Sequence, residues 1–505
     1  MSNKGLKIAS LTVHMVSGEM ILDDVNLAVA PGELVAVVGR SGSGKTMVTR
    51  AILGLLPRGL NATGSIHLDG RDLTALNDRE MDSVRGARIG MLFQQPKRVL
   101  NPRMSVGNQV REGLRARGRS NRTHESSEVR RLLAEVGLKD PARVAKLRSE
   151  QLSGGMAQRV MMAIAIAASP SILLADEPTS SLDSILKAQT LQLIRQEQRA
   201  RGLGVLLITH DLGSVSQIAD RVVVLDGGRV IEEGATESLL AAPIHPITRE
   251  LIAASTPTAA AGKPFEGEVL ARLQNVGRTF SPRRNPTIAL SNVDLVIRRG
   301  EVLGVLGHSG SGKSTFARLL ARMDRPDSGT VTLSADAATP TATQIILQEP
   351  FASFDPSLIL RESLRAPLHR SDRDSADALV DAAVNDVGLD PQLLERMPSG
   401  CSGGQLQRLA IARALLVNPL MLICDESTSA LDTVAQRHIL DLLLRLREER
   451  GITLVVISHD IEVIRYVSNT VAVFYDTELV EHAPADVFFS SARHKHSRDL
   501  IGAAG

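Results

Sequence analysis

ELVAVVGRSGSGKT, residues 33–46, and EVLGVLGHSGSGKS, residues 301–314, are two versions of one device. In each, an unbroken apolar run leads into G-x-x-x-x-G-K-[ST]. A run without alternation fits a strand buried on both faces. The glycines let backbone N–H groups wrap phosphates where Cβ atoms would obstruct them. The expected cradles are therefore Gly39, Ser41, Gly42, Ser43, Gly44, Lys45 and Thr46, and Gly307, Ser309, Gly310, Ser311, Gly312, Lys313 and Ser314. Lys45 and Lys313 are expected to meet β- and γ-phosphates, and the hydroxyls of Thr46 and Ser314 to sit on Mg²⁺. A Gly-rich turn with an exposed lysine has the same local composition, but two copies in one context argue against it.

The duplication extends well beyond the cradles. A shift of about 250 to 268 residues aligns QLSGGMAQR (151–159) with GCSGGQLQR (400–408), SILLADEPTSSLD (171–183) with LMLICDESTSALD (420–432), and GVLLITHD (204–211) with TLVVISHD (453–460). Such order at one period marks a tandem repeat. AASTPTAAAGKPFEGE (253–268) reads as a linker between a first domain, 1–252, and a second, 269–505. Short apolar runs alternate with helical stretches such as MVTRAILGLL. Each half is expected to be α/β, with a parallel sheet and chemistry at the strand carboxyl ends. Residues 96–150, polar and Arg-rich, are expected to form a helical subdomain. Its run REGLRARGRSNR reads as a solvated helix face rather than a docking site for an acidic partner.

Composition removes several classes. The chain has 505 residues, 43% of them hydrophobic, so buried cores are expected rather than disorder. Its 58 basic and 56 acidic residues nearly cancel, and 2% aromatic content leaves few stacking platforms; no nucleic-acid partner is expected. Cys401 and Cys424 are too few for a disulfide framework or a four-cysteine cluster. MSNKGLKIAS lacks an apolar signal core, and no apolar run approaches the ~18 residues of a membrane span. A soluble chain is expected, held at a membrane only by partners.

After each cradle an apolar run ends in Asp-Glu. Asp176 and Asp425 suit a metal shell, and Glu177 and Glu426 suit polarisation of an attacking water. Ser153-Gly154-Gly155 and Ser402-Gly403-Gly404 offer a hydroxyl and a helix N-terminus to an anion. An isolated SGG is as readily an ordinary helix cap. Gln94, Gln348, His210 and His459 are individually unremarkable; their recurrence in one order is not.

Together these motifs resemble the nucleotide-binding subunits of ABC transporters, over essentially the whole chain twice. The resemblance implies two P-loop NTPase domains binding ATP and Mg²⁺, each with a helical subdomain, packed head to tail within one chain. Gln94 and Gln348 are then Q-loop residues near the metal, linking nucleotide to the membrane partner. Ser153, Gly154 and Gly155, with Ser402, Gly403 and Gly404, are signature residues. Asp183 and Asp432 belong to D-loops, and His210 and His459 are switch histidines. Each ATP would lie between one domain's cradle and the other's signature. The resemblance also implies an aromatic residue against adenine: Phe280 holds that place in the second half and Met15 in the first.

HPITREL (245–251) and HKHSRDL (494–500), with LGLLPRG, FQQPKRVLNP and THDLGSV, are similar to the peptide and nickel uptake branch. That implies two membrane permeases, an extracytoplasmic solute-binding protein, and a peripheral place on the cytoplasmic face of the inner membrane. Peptide, nickel, metal chelate and opine all remain open as solutes. A sugar importer's fused ATPase, an exporter's ATPase pair and a cytosolic tandem ATPase acting on ribosomes or DNA share the layout.

This sequence departs from the pattern at several places. Ile247 and Lys495-His496 interrupt the tail motifs, Cys401 replaces a signature leucine, and Ser427 replaces the proline after the second glutamate. Lys313 and Gln348 are 35 residues apart, against 49 for Lys45 and Gln94. The second half is expected to lack an excursion equivalent to GRDLTALNDREMDS. No cysteine group is present for the iron–sulfur cluster of some relatives.

Overall fold

The computed structural model describes residues 4–118, 122–180, 182–255, 266–280, 286–308, 310–368, 372–429 and 431–504. The chain divides into two compact units, Met1–Thr256 and Pro257–Gly505.

The first unit contains strands β1 (Leu6–Met15), β2 (Met20–Val29), β3 (Leu34–Val38), β4 (Leu60–Leu68), β5 (Arg71–Asp72), β6 (Ile89–Leu92), β7 (Ile172–Asp176), β8 (Gly204–Ile208), β9 (Arg221–Asp226) and β10 (Arg229–Ala235). Among the described residues, six form a sheet in the order β10-β9-β3-β8-β7-β6. Its pairs are parallel except β10 on β9. Every residue of β3 and β8 is buried, which is why their sequences are apolar without alternation. Val35, Val37, Leu174, Leu206 and Ile208 share one core, each such side chain contributing about 1.5–3 kcal/mol on burial. The strands β2-β1-β4-β5 form a second, antiparallel sheet.

The second unit repeats the plan with β11 (Val269–Phe280), β12 (Thr287–Arg298), β13 (Val302–Gly307), β14 (Ser328–Leu333), β15 (Thr343–Ile346), β16 (Met421–Asp425), β17 (Thr453–Ile457), β18 (Thr470–Tyr475) and β19 (Glu478–Pro484). The main sheet runs β15-β16-β17-β13-β18-β19, parallel except at β19. The smaller sheet is β12-β11-β14. Where the first unit has β5 and the helix Asp78–Asp82, the second has the short 3₁₀ turn Ala335–Ala338. The excursion read as missing is that strand and helix.

Two local readings need correction. The helix after the first cradle, Lys45–Ile52, stops before LGLL. Gly54 takes a left-handed φ of +62°, and Leu55 N donates to Arg50 O at 2.8 Å, closing the helix end. The linker reading begins too early, because the helix Pro246–Ser255 runs three residues past 252. Residues 256–265 of that linker lie outside the described residues.

Between β6 and β7 lie the helices Pro96–Val99, Val106–Arg115, Arg122–Glu135 and Pro141–Val144. Arg111 and Arg115 pair with the buried Glu125, and Arg131 pairs with Glu128 and Glu135. Of the Arg-rich run, Arg111 and Arg115 are thus held by Glu125 of the next helix; Arg119, Ser120 and Asn121 lie outside the described residues.

Candidate active sites

Each cradle leaves the carboxyl end of a central strand, β3 or β13, and opens a helix, Lys45–Ile52 or Lys313–Leu320. Gly44 and Gly312 cap these helices at φ +97° and +103°. Added Cβ atoms there would fall 2.6 Å from Leu22 Cδ2 and 2.3 Å from Ala289 O. Gly42 and Gly310 have open space around them and are required by φ alone, +79° and +82°. Lys45 Nζ donates to Gly39 O and Arg40 O at 2.8 and 2.7 Å; Lys313 Nζ donates to Gly307 O and His308 O at 2.7 and 2.9 Å. Both ammonium groups are therefore buried and aimed back into their own loops. Ser43 and Ser311 are buried under the loops, and Ser41 is exposed on its loop. Ser309 lies outside the described residues. A small backbone-lined bowl with a buried lysine fits the phosphates of ATP.

Beside each bowl stands a carboxylate pair with opposed environments. Asp176 ends β7 and accepts from Thr46 Oγ1 and Thr49 Oγ1, both at 3.4 Å. Burial first, and then the neighbouring Glu177 charge, raise its carboxyl above the ordinary range. Asp425 is raised by burial too, with Ser314 opposing, and its Oδ1 is buried without a hydrogen-bond partner. A buried, costly carboxylate beside a loop hydroxyl fits a hard divalent cation such as Mg²⁺.

The glutamates go the other way. Burial pushes Glu177 up, but hydrogen bonding and charge from His210, aided by Lys45, bring it net below its usual value. Glu426 is lowered chiefly by the hydrogen bond with His459, against burial. His210 Nδ1 lies 3.4 Å from Glu177 Oε1, and His459 Nδ1 lies 3.4 Å from Glu426 Oε2. Adjacent carboxyls driven apart in this way are suited to different chemical tasks. Both glutamates also adopt left-handed backbones, φ +45° and +48°, pinned by N–H bonds to Ile208 O and Ile457 O. For a non-glycine residue that conformation costs about 1–2 kcal/mol. It turns each carboxylate out of its strand toward the histidine.

The exposed Gln94 follows β6 and donates to Glu177 Oε2 at 3.0 Å. The exposed Gln348 follows β15 in the same place. Thus the structure gathers cradle, Asp, Glu and His in each unit, with Gln94 bonded in the first.

Ser153 and Ser402 cap the helices Gly154–Ile166 and Gly403–Leu415, accepting from Met156 N and Gln405 N at 3.2 and 3.3 Å. Gly154 and Gly404 have nothing within 4 Å of a built Cβ, leaving those N-termini open; Gly403 is nearly so, and Gly155 packs on Leu186. Asp183 and Asp432 cap the helices Ser184–Arg201 and Thr433–Arg450. Gln158 Nε2 donates to Pro178 O at 3.0 Å, tying the first signature helix to the residue after Glu177. Its counterpart Gln407 is fully buried with neither amide atom partnered, and Ser427 follows Glu426 where the first unit has that proline. Phe280 ends β11 and Met15 ends β1, both more than a third exposed. The Arg278 guanidinium lies 5.0 Å from the Phe280 ring centre.

Sequence reasoning missed Thr49 on Asp176 and the ion pair of Lys187 with Asp211, next to His210. Gln436 replaces Lys187 in the second unit, so a comparison of the halves exposes that asymmetry.

Two phosphate bowls, each with a buried lysine and a carboxylate pair of split acidity, define a duplicated P-loop nucleoside triphosphatase. The family described as ABC transporter matches residues 22–180 and 290–429. The glutathione import ATP-binding protein GsiA of Salmonella choleraesuis (strain SC-B67) is 36% identical over 95% of this chain and 86% of its own. The peptidoglycan transport ATP-binding protein YejF of Agrobacterium fabrum is 34% identical over 99% and 96%. The archaeal ribosome recycling factor aABCE1, solved with the stalk protein aP1, shares the fold across 96% of this chain and 90% of that one, with TM-score 0.64 and 20% identity. The chain belongs to the ABC transporter family, as an ATP-binding subunit with two cassettes.

Proposed function

We propose that this chain hydrolyses ATP at two sites to power import of a small, peptide-type solute through separate membrane permeases. One observation carries the reading: the full set of cradle lysine, hydroxyl, aspartate, glutamate and histidine occurs in both units. The names of the two relatives, both import or transport ATP-binding proteins, supply the direction and the solute class. None of the described helices is long and apolar enough to cross a membrane; the relatives' names as ATP-binding proteins of transport systems support a pore formed by other chains.

ATP supplies the transferred phosphoryl group, and Mg²⁺ when bound neutralises its β- and γ-oxygens. Lys45 and Lys313 leave their loop carbonyls to hold phosphate oxygens. Thr46 with Asp176, and Ser314 with Asp425, would hold the metal, aided by Gln94 and Gln348. Glu177 and Glu426, ionised at neutral pH, orient and polarise the water. A lowered carboxyl is a weak base, so positioning outweighs outright proton removal. His210 and His459 fix the glutamates. Ser153–Gly155 and Ser402–Gly404 offer open helix N-termini to a nucleotide phosphate, and Phe280 packs on adenine. The first domain extends to Ser255, the end of its tail helix, and the second runs 269–505.

Exposed apolar residues flank the glutamines: Phe93 and Val99 beside Gln94, and Leu347, Phe351 and Leu358 beside Gln348. Such patches suit a permease helix, which would place the chain peripherally on the cytoplasmic face of the inner membrane, with a binding protein outside. Expression with and without candidate permease subunits tests this. The chain should sediment with membranes only when they are present; equal sedimentation without them contradicts the reading.

A further inference from the structure

The tail motifs HPITREL and HKHSRDL are the part of the duplicated sequence that the nucleotide chemistry leaves without a role. Both fold as the same cap. Glu232 on β10 accepts N–H bonds from Ile244 and His245 at 2.8 and 2.9 Å; Glu481 on β19 accepts them from Arg493 and His494 at 2.8 and 3.0 Å. His245 Nδ1 accepts from Ile247 N at 3.3 Å, and His494 Nδ1 from His496 N at 3.2 Å. These bonds fix where the tail helices Pro246–Ser255 and Lys495–Ala504 begin and what they face.

Each tail helix faces the second residue of its phosphate loop. In the first unit Glu250 forms an ion pair with Arg40. In the second, His308 stands at Arg40's place and the contact is made by rings. His308 lies 5.3 Å from Tyr475 and 5.9 Å from His496, and Tyr475 lies 4.4 Å from His496, centre to centre. The opposite side of each tail helix packs on the short helix that follows a switch histidine, Leu212–Val215 or Ile461–Val467. A Cβ on Gly213 would meet Ser255 O at 3.4 Å.

The backbone carbonyls of Arg40 and His308 are the same groups that hold Lys45 and Lys313. When a lysine moves to a phosphate, its loop residue loses that hold and keeps the N–H bond its carbonyl accepts from Ser43 or Ser311, together with its side-chain contact to the tail helix. We propose that the tail helices are straps that position the phosphate loops for ATP, through Arg40 and Glu250 in the first unit and His308 and His496 in the second. The inference rests on the reading of these loops as ATP sites. The straps differ in chemistry. The Arg40–Glu250 pair is about a third exposed, hence modest and salt-sensitive, whereas the ring contacts carry no such salt dependence.

The test is ATP binding to the full chain carrying Lys313→Ala, which isolates the first site. Glu250→Arg and Arg40→Glu should each weaken ATP binding about two- to fivefold, as expected for an exposed pair. The doubly swapped chain should return to within about twofold of the parent, because a charge pair reversed is a pair restored. Raising the salt should shrink the penalty of each single change. Unchanged affinity in both singles, or a double variant no tighter than the weaker single, overturns the proposal. The rescue separates positioning from mere loss of folding. A Lys313→Ala parent that binds no ATP overturns this inference together with the reading beneath it.

Discussion

Gln94 Nε2 donates to Glu177 Oε2 at 3.0 Å, so the residue proposed to face the permease grips the residue proposed to polarise water. His210 holds the other carboxylate oxygen from the opposite side. The carboxylate is thus oriented by two loops that follow different strands, β6 and β8. Movement of the Gln94 loop alters the aim of Glu177 without touching ATP. Gln94→Ala should lower turnover at the first site more than it lowers ATP affinity, by about tenfold for a displaced catalytic group. Single-site turnover and nucleotide titration in a Lys313→Ala chain separate the two effects. Loss of affinity with unchanged turnover would contradict the link.

The open helix N-termini at Gly154 and Gly404 are proposed to receive a nucleotide phosphate. Ser153→Arg and Ser402→Arg should then each lower ATP turnover, by bulk at a terminus that must receive phosphate. Steady-state turnover of each variant reports this. Wild-type turnover in both variants would contradict it.

The adenine contacts are expected to be unequal, with Phe280 at one site and Met15 at the other. Base–aromatic stacking is worth about 1–3 kcal/mol, and a methionine sulfur recovers part of it, so the gap should be near fivefold. The Phe280 site, isolated by Lys45→Ala, should bind ATP more tightly than the Met15 site, isolated by Lys313→Ala. Phe280→Ala should bring the two together. Equal affinities unaffected by that change would remove Phe280 from the adenine pocket.

Cys424 is buried behind Asp425, and burial pushes its thiol up to about 12. Cys401, half-buried beside the second signature serine, is raised by burial as well. A raised thiol stays protonated near neutrality and reacts slowly, because the thiolate is the nucleophile. A thiol reagent at pH 8 should modify one residue slowly, Cys401, and reach Cys424 only on unfolding. Mg·ATP should protect Cys401 in a chain that closes but cannot hydrolyse. Two fast thiols would contradict the burial.

The sequence made the strands and motif residues legible because each carries its chemistry locally. VAVV, ILLA and VLLI are apolar throughout because both faces of β3, β7 and β8 are covered. The cradle glycines recur because φ and space demand them at 44 and 312. What stayed hidden depends on distance along the chain or on backbone shape. Arg40 and Glu250 lie 210 positions apart, and no local pattern pairs them. The left-handed turns at Glu177 and Glu426 occur at a residue type that rarely adopts them, and the end of the first helix at Ile52 depends on how Gly54 closes it.

The central claim is that both duplicated sites hydrolyse ATP through Glu177 and Glu426. The most direct measurement is steady-state ATP turnover of the chain carrying Glu177→Gln and Glu426→Gln, together with the ATP it retains. Glutamine keeps the shape but cannot accept a proton or polarise water as a carboxylate does. The account predicts a fall in turnover of about 10²–10⁴-fold, with two ATP held per chain. Turnover at the wild-type rate in that double variant would contradict it.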